Sequence, residues 1–410
     1  MARFSLTRSL EDARNSLQRF PLVLLSALVS CILSCVMVTG HAQELRWMPL
    51  LMTSAVGIVT FLAASLLGEV RGRPWLSRIA AVVLLGVYYL SLPLRPAASD
   101  GIRLFILLAG LHLLVAVIPF LGRKPEVGLW QYNKHLLLRL VNAVLFTLVM
   151  FAGLALAMGA MDQLLGVNWH SEAYIQLFFI LGFLFNTWFF LGGIPSDFAA
   201  LAREEDFPRP LRVLAQHILS SLVVVYLAIL MIYLAKVVLS GVWPSGWIGW
   251  LVSSVAVAGL LSVLLLAPLQ NQAQNRWVGI YFLVFHVLMV PAAVMLAMAL
   301  GQRIGQYGWT EPRYILAILT LWLMVVLVRF LITRRPGLRF LPLSLAVVAL
   351  VISVGPWGAV AVSRSSQMGR LAETLRSHDL LQDGQLVAAA RAYPDSVVRA
   401  LHKDMVHMFD

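Results

Sequence analysis

The sequence predicts an all-α, polytopic transmembrane helical bundle of about eleven spans with a short C-terminal extramembrane helical tail. Three observations carry that expectation. Eleven apolar runs of roughly 16 to 24 residues, each long enough to cross a bilayer's hydrocarbon core, fill the chain from Phe20 to Val362. Hydrophobic residues make up 60% of the 410 and charged residues 12%, both far from the averages of soluble domains. The segments between the runs are too short to fold alone, and a backbone without water must close its own hydrogen bonds, so each run reads as a helix.

The elements follow in order. Residues 1–19 read as a cytoplasmic amphipathic juxtamembrane helix, with Leu6, Leu10, Ala13 and Leu17 at helical spacing opposite Arg8, Glu11, Asp12 and Asn15. Residues 20–362 form the transmembrane domain, with spans expected near 20–38, 47–67, 77–94, 103–121, 137–158, 174–194, 215–239, 247–267, 277–300, 313–332 and 340–362. Pro21 opens the first, Pro119 and Pro195 fall at span ends, and Trp243–Trp247 reads as a turn between interfacial tryptophans. Cys31 and Cys35 share a face of the first span, where a mutual disulfide would be strained, and they read as small packing residues rather than a redox pair. The first run is preceded by charged sequence and has full span length, so it reads as an anchor and not a cleaved signal. Residues 363–410 form the tail. There Ser366 is expected to cap a helix running to about Leu381, Asp383-Gly384 to turn, and Tyr393-Pro394-Asp395 to break the chain before a last helix near 396–408.

Charge then selects an orientation. Arg3, Arg8, Arg14 and Arg19 precede the first span, and Arg71, Arg73, Arg78, Arg123, Lys124, Lys134, Arg203, Arg209, Arg212, Arg276, Arg334, Arg335 and Arg339 flank the ends on the same side. The opposite side holds Arg46, Arg95, Arg103, Arg303 and Arg313, and its loops at 159–173 and 240–246 contain no Lys or Arg. The positive-inside rule therefore expects a multi-pass protein of the bacterial inner membrane with its N-terminus cytoplasmic and, after an odd number of spans, its C-terminus extracytoplasmic. A net charge of +12 spread over span flanks meets lipid headgroups; without a folded basic domain, no nucleic-acid partner is expected.

Several segments resemble a bacterial membrane family catalogued as domain of unknown function 4153. They are Trp130-Gln131-Tyr132-Asn133-Lys134, Phe185–Leu191, Tyr307–Tyr314, Gly355-Pro356-Trp357-Gly358, Ser363–Gln367 running on to Arg370-Leu371, and Leu380–Gly384. The resemblance implies a polytopic envelope protein and supplies no reaction or substrate. Many members that it resembles continue into a longer outer segment, and the resemblance does not extend an activity located there to this chain, which stops at Asp410.

Candidate chemistry is sparse. Lys236, Arg139 and Arg329 lie near span ends and can snorkel. His112, Asn186 and His286 fall near mid-depth, where polar groups are costly, and they are the candidates for an intramembrane polar path. The competing reading gives each one interhelical hydrogen bond and nothing more. Gly355 and Pro356 interrupt the final span, either as unwound backbone lining a cavity or as an early end at the outer interface. Pro291 predicts a kink near His286. An outer loop concentrates Trp309, Glu311, Arg313 and Tyr314; Thr310 caps the next helix there, and a headgroup or ligand site is the alternative. The cytoplasmic Tyr132-Asn133-Lys134 segment reads as a loop with aromatic and basic anchors.

Phosphate-cradling loops, metal motifs and nucleophile elbows are absent from the sequence, so no cofactor, metal or catalytic residue is expected. The first reading of function is a transporter or permease-like protein with an unknown small-molecule or ion substrate; the alternative is a non-enzymatic envelope scaffold or signalling component with a protein partner at the tail, and the second alternative a lipid-modifying enzyme. Membrane lipids are the partner common to all three.

Overall fold

Apolar side chains around a whole helix leave the backbone only itself to bond with, and the chain resolves that by forming helices almost throughout. The computed structural model describes residues 14–40, 46–122, 126–204, 206–241, 247–270, 272–335, 337–378, 380–382 and 384–387. Among these, nine helices are long and apolar enough to cross a membrane, and two shorter apolar ones accompany them. The N-terminal amphipathic stripe before Arg14, the Trp243–Pro244–Ser245–Gly246 turn and the last tail helix lie outside the described residues.

The chain divides into two compact units, residues 1–204 and 205–410. In the first, α1 is Pro21–Thr39, α2 Met48–Arg71, α3 Pro74–Leu90, α4 Ala98–Val115, α5 Glu126–Leu165 and α6 Ser171–Leu191. The hub is α2: 61% of its apolar window is buried, against 33% for α1 and 11% for α5. Ser26, Ser30 and Ser34 line the buried face of α1 at four-residue spacing, and Ser30 Oγ donates to Ser54 Oγ of α2 at 2.8 Å. Small hydroxyl residues let two backbones approach where no hydrophobic drive exists between helices in lipid. The turn from α2 into α3 is tight. Gly72 adopts a left-handed φ of 66° and its N–H returns to Gly68 O, while a Cβ on Gly68 would fall 2.6 Å from Pro74 Cα.

In the second unit, α7 is Arg209–Ser240, α8 Trp247–Leu266, α9 Arg276–Tyr307, α10 Glu311–Thr333, α11 Phe340–Ile352 and α12 Ala359–Ser377. Its core is the face of α9 carrying Phe282, Phe285, Met289, Ala292 and Ala293, each essentially unexposed. Gly259 of α8 admits the Phe285 ring, which a side chain there would overlap. Helix α9 runs through Pro291 without ending. Beyond α12, Leu381–Gln382 and Gln385–Leu386 form a two-residue antiparallel pair around Gly384, whose φ is 79°.

Three differences from the sequence expectation bear on the candidate residues, each for a physical reason. Helix α5 has 40 residues, about 60 Å at 1.5 Å per residue, so Trp130–Lys134 lies inside a helix and not in a loop. The last apolar run stops at Ile352, because Gly355 (φ 77°) and Pro356 cannot continue it, and the chain restarts as α12 at Ala359. Ser366 thus sits within α12 and caps nothing; Gly358 precedes the helix start.

Candidate functional site

Each candidate for the polar path sits in a different environment. His112 of α4 is exposed, and its Nδ1–H donates to Leu108 O at 2.7 Å within its own helix. Asn186 is half-buried and immediately follows a π-helical turn, Ile180–Phe185, inserted in α6. His286 lies in the other unit with 1% of its surface exposed. Its Nδ1–H donates to Phe282 O at 2.6 Å, its ring stacks on Phe330 with centroids 3.6 Å apart, and Phe285 meets it edge-on. Aromatic rings therefore close over this imidazole, and the unit's own packing accounts for it. Gly355 and Pro356 are exposed. The break beside them is bridged by Trp357, whose indole N–H donates to Val351 O at 3.1 Å and whose ring lies against Gly355. One of the carbonyls at the end of α11, that of Val351, is thereby bonded within the protein.

The candidates of loop 307–314 do converge, and with two other segments. Trp309 N–H donates to Ser366 Oγ at 3.0 Å, and Gln367 Nε2 donates to Trp309 O at 2.6 Å. Tyr314 O–H donates to Trp357 O at 2.6 Å and its ring meets Trp309 edge-on, centroids 5.9 Å apart. Arg313 donates to Gly308 O at 3.0 Å and stands over the Tyr307 ring. Gly308, at φ 71°, lies against Ser366 and Arg370 of α12. Glu311 is half-buried at the first position of α10, where a carboxylate suits the helix dipole. Thr310 occupies the cap position without a side-chain cap bond. Segments 307–314, 355–358 and 363–370, far apart in sequence, thus form one knot in which side chains serve the loop's backbone groups.

A second polar cluster gathers around Tyr132-Asn133-Lys134, whose partners sequence reasoning did not find. At the end of the first unit that carries its basic flanks, Arg19 donates to both oxygens of Glu69 at 2.7 and 2.8 Å and to the carbonyls of Ile194 and Pro195 at 2.7 and 2.9 Å. Nearby, the side chain of Lys134 is 3% exposed, with Nζ 3.5 Å from Glu204 Oε2, and His135 Nε2 reaches the same oxygen at 2.9 Å. Gln131 donates to Glu204 O, and Asn133 donates to Ala116 O and Leu129 O. Tyr132 is fully buried in a triangle with Phe120 and Phe198, centroids about 6 Å apart. Burial alone would raise the Glu204 pKa, but the His135 hydrogen bond and the charges of His135 and Lys134 outweigh it and hold the carboxyl below its ordinary value. A Lys-His pair beside an invisible partner seventy residues away gives no signal in one sequence; only the oddity of polar residues at the start of a long apolar helix hinted at it.

Among the described residues no group of three or more His, Cys, Asp or Glu could hold a metal, and the two cysteines are free thiols. An uncharacterized protein of Pasteurella multocida (strain Pm70) is 25% identical over 271 residues, 64% of this chain and 45% of that protein. The chain thus spans less than half the length of the curated relative it matches. No solved structure matches it. A family model described as Domain of unknown function (DUF4153) matches residues 15–391, and the chain belongs to that family.

Proposed function

We propose that this DUF4153 member is an eleven-crossing protein of a bacterial inner membrane, N-terminus cytoplasmic, acting as a non-enzymatic envelope scaffold or signalling component. The observation that supports this reading best is the knot of loop 307–314 with Trp357 and α12. Its polar side chains are consumed in fixing α12 against that loop, which is how a surface is presented and not how a route is opened. The opposite side of α12 leaves Arg364, Met368 and Arg376 exposed for a protein partner. A photo-crosslinking residue placed at Met368 in living cells is expected to give one discrete protein adduct that disappears when Ser366→Ala and Gln367→Ala loosen the knot. An adduct pattern unchanged by the double substitution would remove the knot from the function.

One observation favours transport as a second reading. Turns of π-helix are frequent at functional sites, and one directly precedes Asn186 while another, Leu214–Leu219, carries Gln216 and His217. Asn186→Ala then abolishes the cellular phenotype with the fold retained, whereas a scaffold tolerates it.

A further inference from the structure

We infer that a cleft beside the loop joining α5 to α6 is a binding site for an uncharged or amine-bearing saccharide. The cleft measures about 590 Å³, within the range of small-ligand pockets, and lies wholly inside the first unit. Trp169 and Asn168 from the loop, His170 and Glu172 at the start of α6, Gln176 one turn on, and Thr39 at the end of α1 line it. An indole face exposed to 39% beside two amides, a carboxylate, an imidazole and a hydroxyl is the chemistry that receives a sugar. The ring takes the C–H face, and the amides and carboxylate exchange hydrogen bonds with the hydroxyls.

Charge narrows the ligand. Among the described residues the lining contains a carboxylate and no Lys or Arg, and Asp162 stands behind the loop, so an anionic headgroup would be repelled. This contrasts with the other end of the same unit, where arginines gather. An amine, by contrast, gains from Glu172.

The loop is also held in shape before any ligand arrives. Gly166 and Asn168 both take left-handed φ, 65° and 57°, and Asn168 Nδ2 donates to Gly166 O at 3.0 Å. Asp162 Oδ1 accepts the Trp169 N–H at 2.7 Å. Across the cleft, Gln176 Nε2 donates to Cys35 O and so ties α6 to α1. Little ordering is left for binding to supply.

The site's exposure to the envelope rests on the orientation proposed above; its chemistry does not. The full chain in lipid nanodiscs, open on both faces, is titrated with glucose, glucosamine and glucuronate by saturation-transfer NMR. Glucosamine and glucose are expected to bind, glucosamine more tightly, and glucuronate at least tenfold more weakly than glucose. Trp169→Ala is expected to lose binding at least tenfold while Trp169→Phe keeps most of it, and Glu172→Gln to remove the preference for the amine while keeping glucose. A repeat with a glycolipid bearing the same sugar separates the sources. Tighter binding of the glycolipid marks a membrane-anchored glycan, and equal binding a soluble one. Glucuronate bound as well as glucose, or Trp169→Ala indistinguishable from the parent, would overturn the inference. Because nanodiscs expose both faces, those failures are separate from a wrong orientation, which is read by labelling at residue 167 in intact cells.

Discussion

Arg19 shows how much one side chain can organise at a membrane surface. Its planar guanidinium reaches a bidentate carboxylate and two carbonyls at once, joining α1, α2 and the segment after α6. Lysine cannot reproduce that fork, so Arg19→Lys is expected to lower stability by about 1–3 kcal/mol, read as thermal unfolding in nanodiscs. Glu204 behaves differently because it titrates. Its folded pKa lies below the ordinary 4.5, so its stabilisation is present above that value and is lost as pH falls through the folded one. Glu204→Gln is therefore expected to lower the melting temperature at neutral pH, with the difference from the parent vanishing on acidification. A difference that persists in acid would mean that shape and not charge matters there. Neither role was legible in the sequence, where Arg19 counts only as one positive flank and Glu204 as loop. A side chain's partner is a fact of three dimensions. His286 reads from sequence as a costly polar group and in the structure as a stacked, hydrogen-bonded core ring, since periodicity cannot show Phe330 waiting opposite.

Helices were far more legible than sites, because hydropathy reports directly on what a bilayer requires. Each apolar run became a helix, and the interruption at Gly355-Pro356 became the end of α11. Ends were less legible: α5 begins at Glu126, well before its expected span, since a helix can run past the membrane wherever protein covers its polar residues. The tail helix likewise begins earlier than Ser366, because capping propensity yielded to the turn that Gly355–Gly358 already makes. The close return of α3 on α2 rests on the missing side chain of Gly68, with Pro74 Cα and Ser77 Oγ both 2.6 Å from where a Cβ would stand. Gly68→Val is expected to destabilise by about 1–3 kcal/mol through overpacking. Gly86→Ala, with nothing within 4 Å, is expected to be neutral or slightly stabilising, and it is the control for helix propensity. Equal melting temperatures for the two variants would show that the turn does not need the glycine.

For the molecule as a whole, the sequence offered three regions, and the structure offers two units meeting in sequence at Glu204. No composition shift marks that point, since both halves are equally apolar and the boundary lies in an ordinary loop. The proposed orientation has a direct check. In a background lacking Cys31 and Cys35, Val167→Cys and Ser365→Cys are expected to react with an impermeant maleimide in intact cells, and Arg73→Cys only after permeabilisation. The reverse pattern would turn the protein over and move the cleft to the cytoplasm.

Two of the apolar helices are short. With 17 and 13 residues, α3 and α11 extend roughly 26 and 20 Å, against a hydrocarbon thickness of about 30 Å. In an eleven-crossing arrangement the surrounding lipid must thin to meet them, at a fraction of a kcal/mol for each ångström. The knot that anchors α12 hangs from the shorter of the two. With eleven crossings, acyl-chain length would be a mechanical input to the protein: thick membranes would pull on that anchorage and thin ones relieve it.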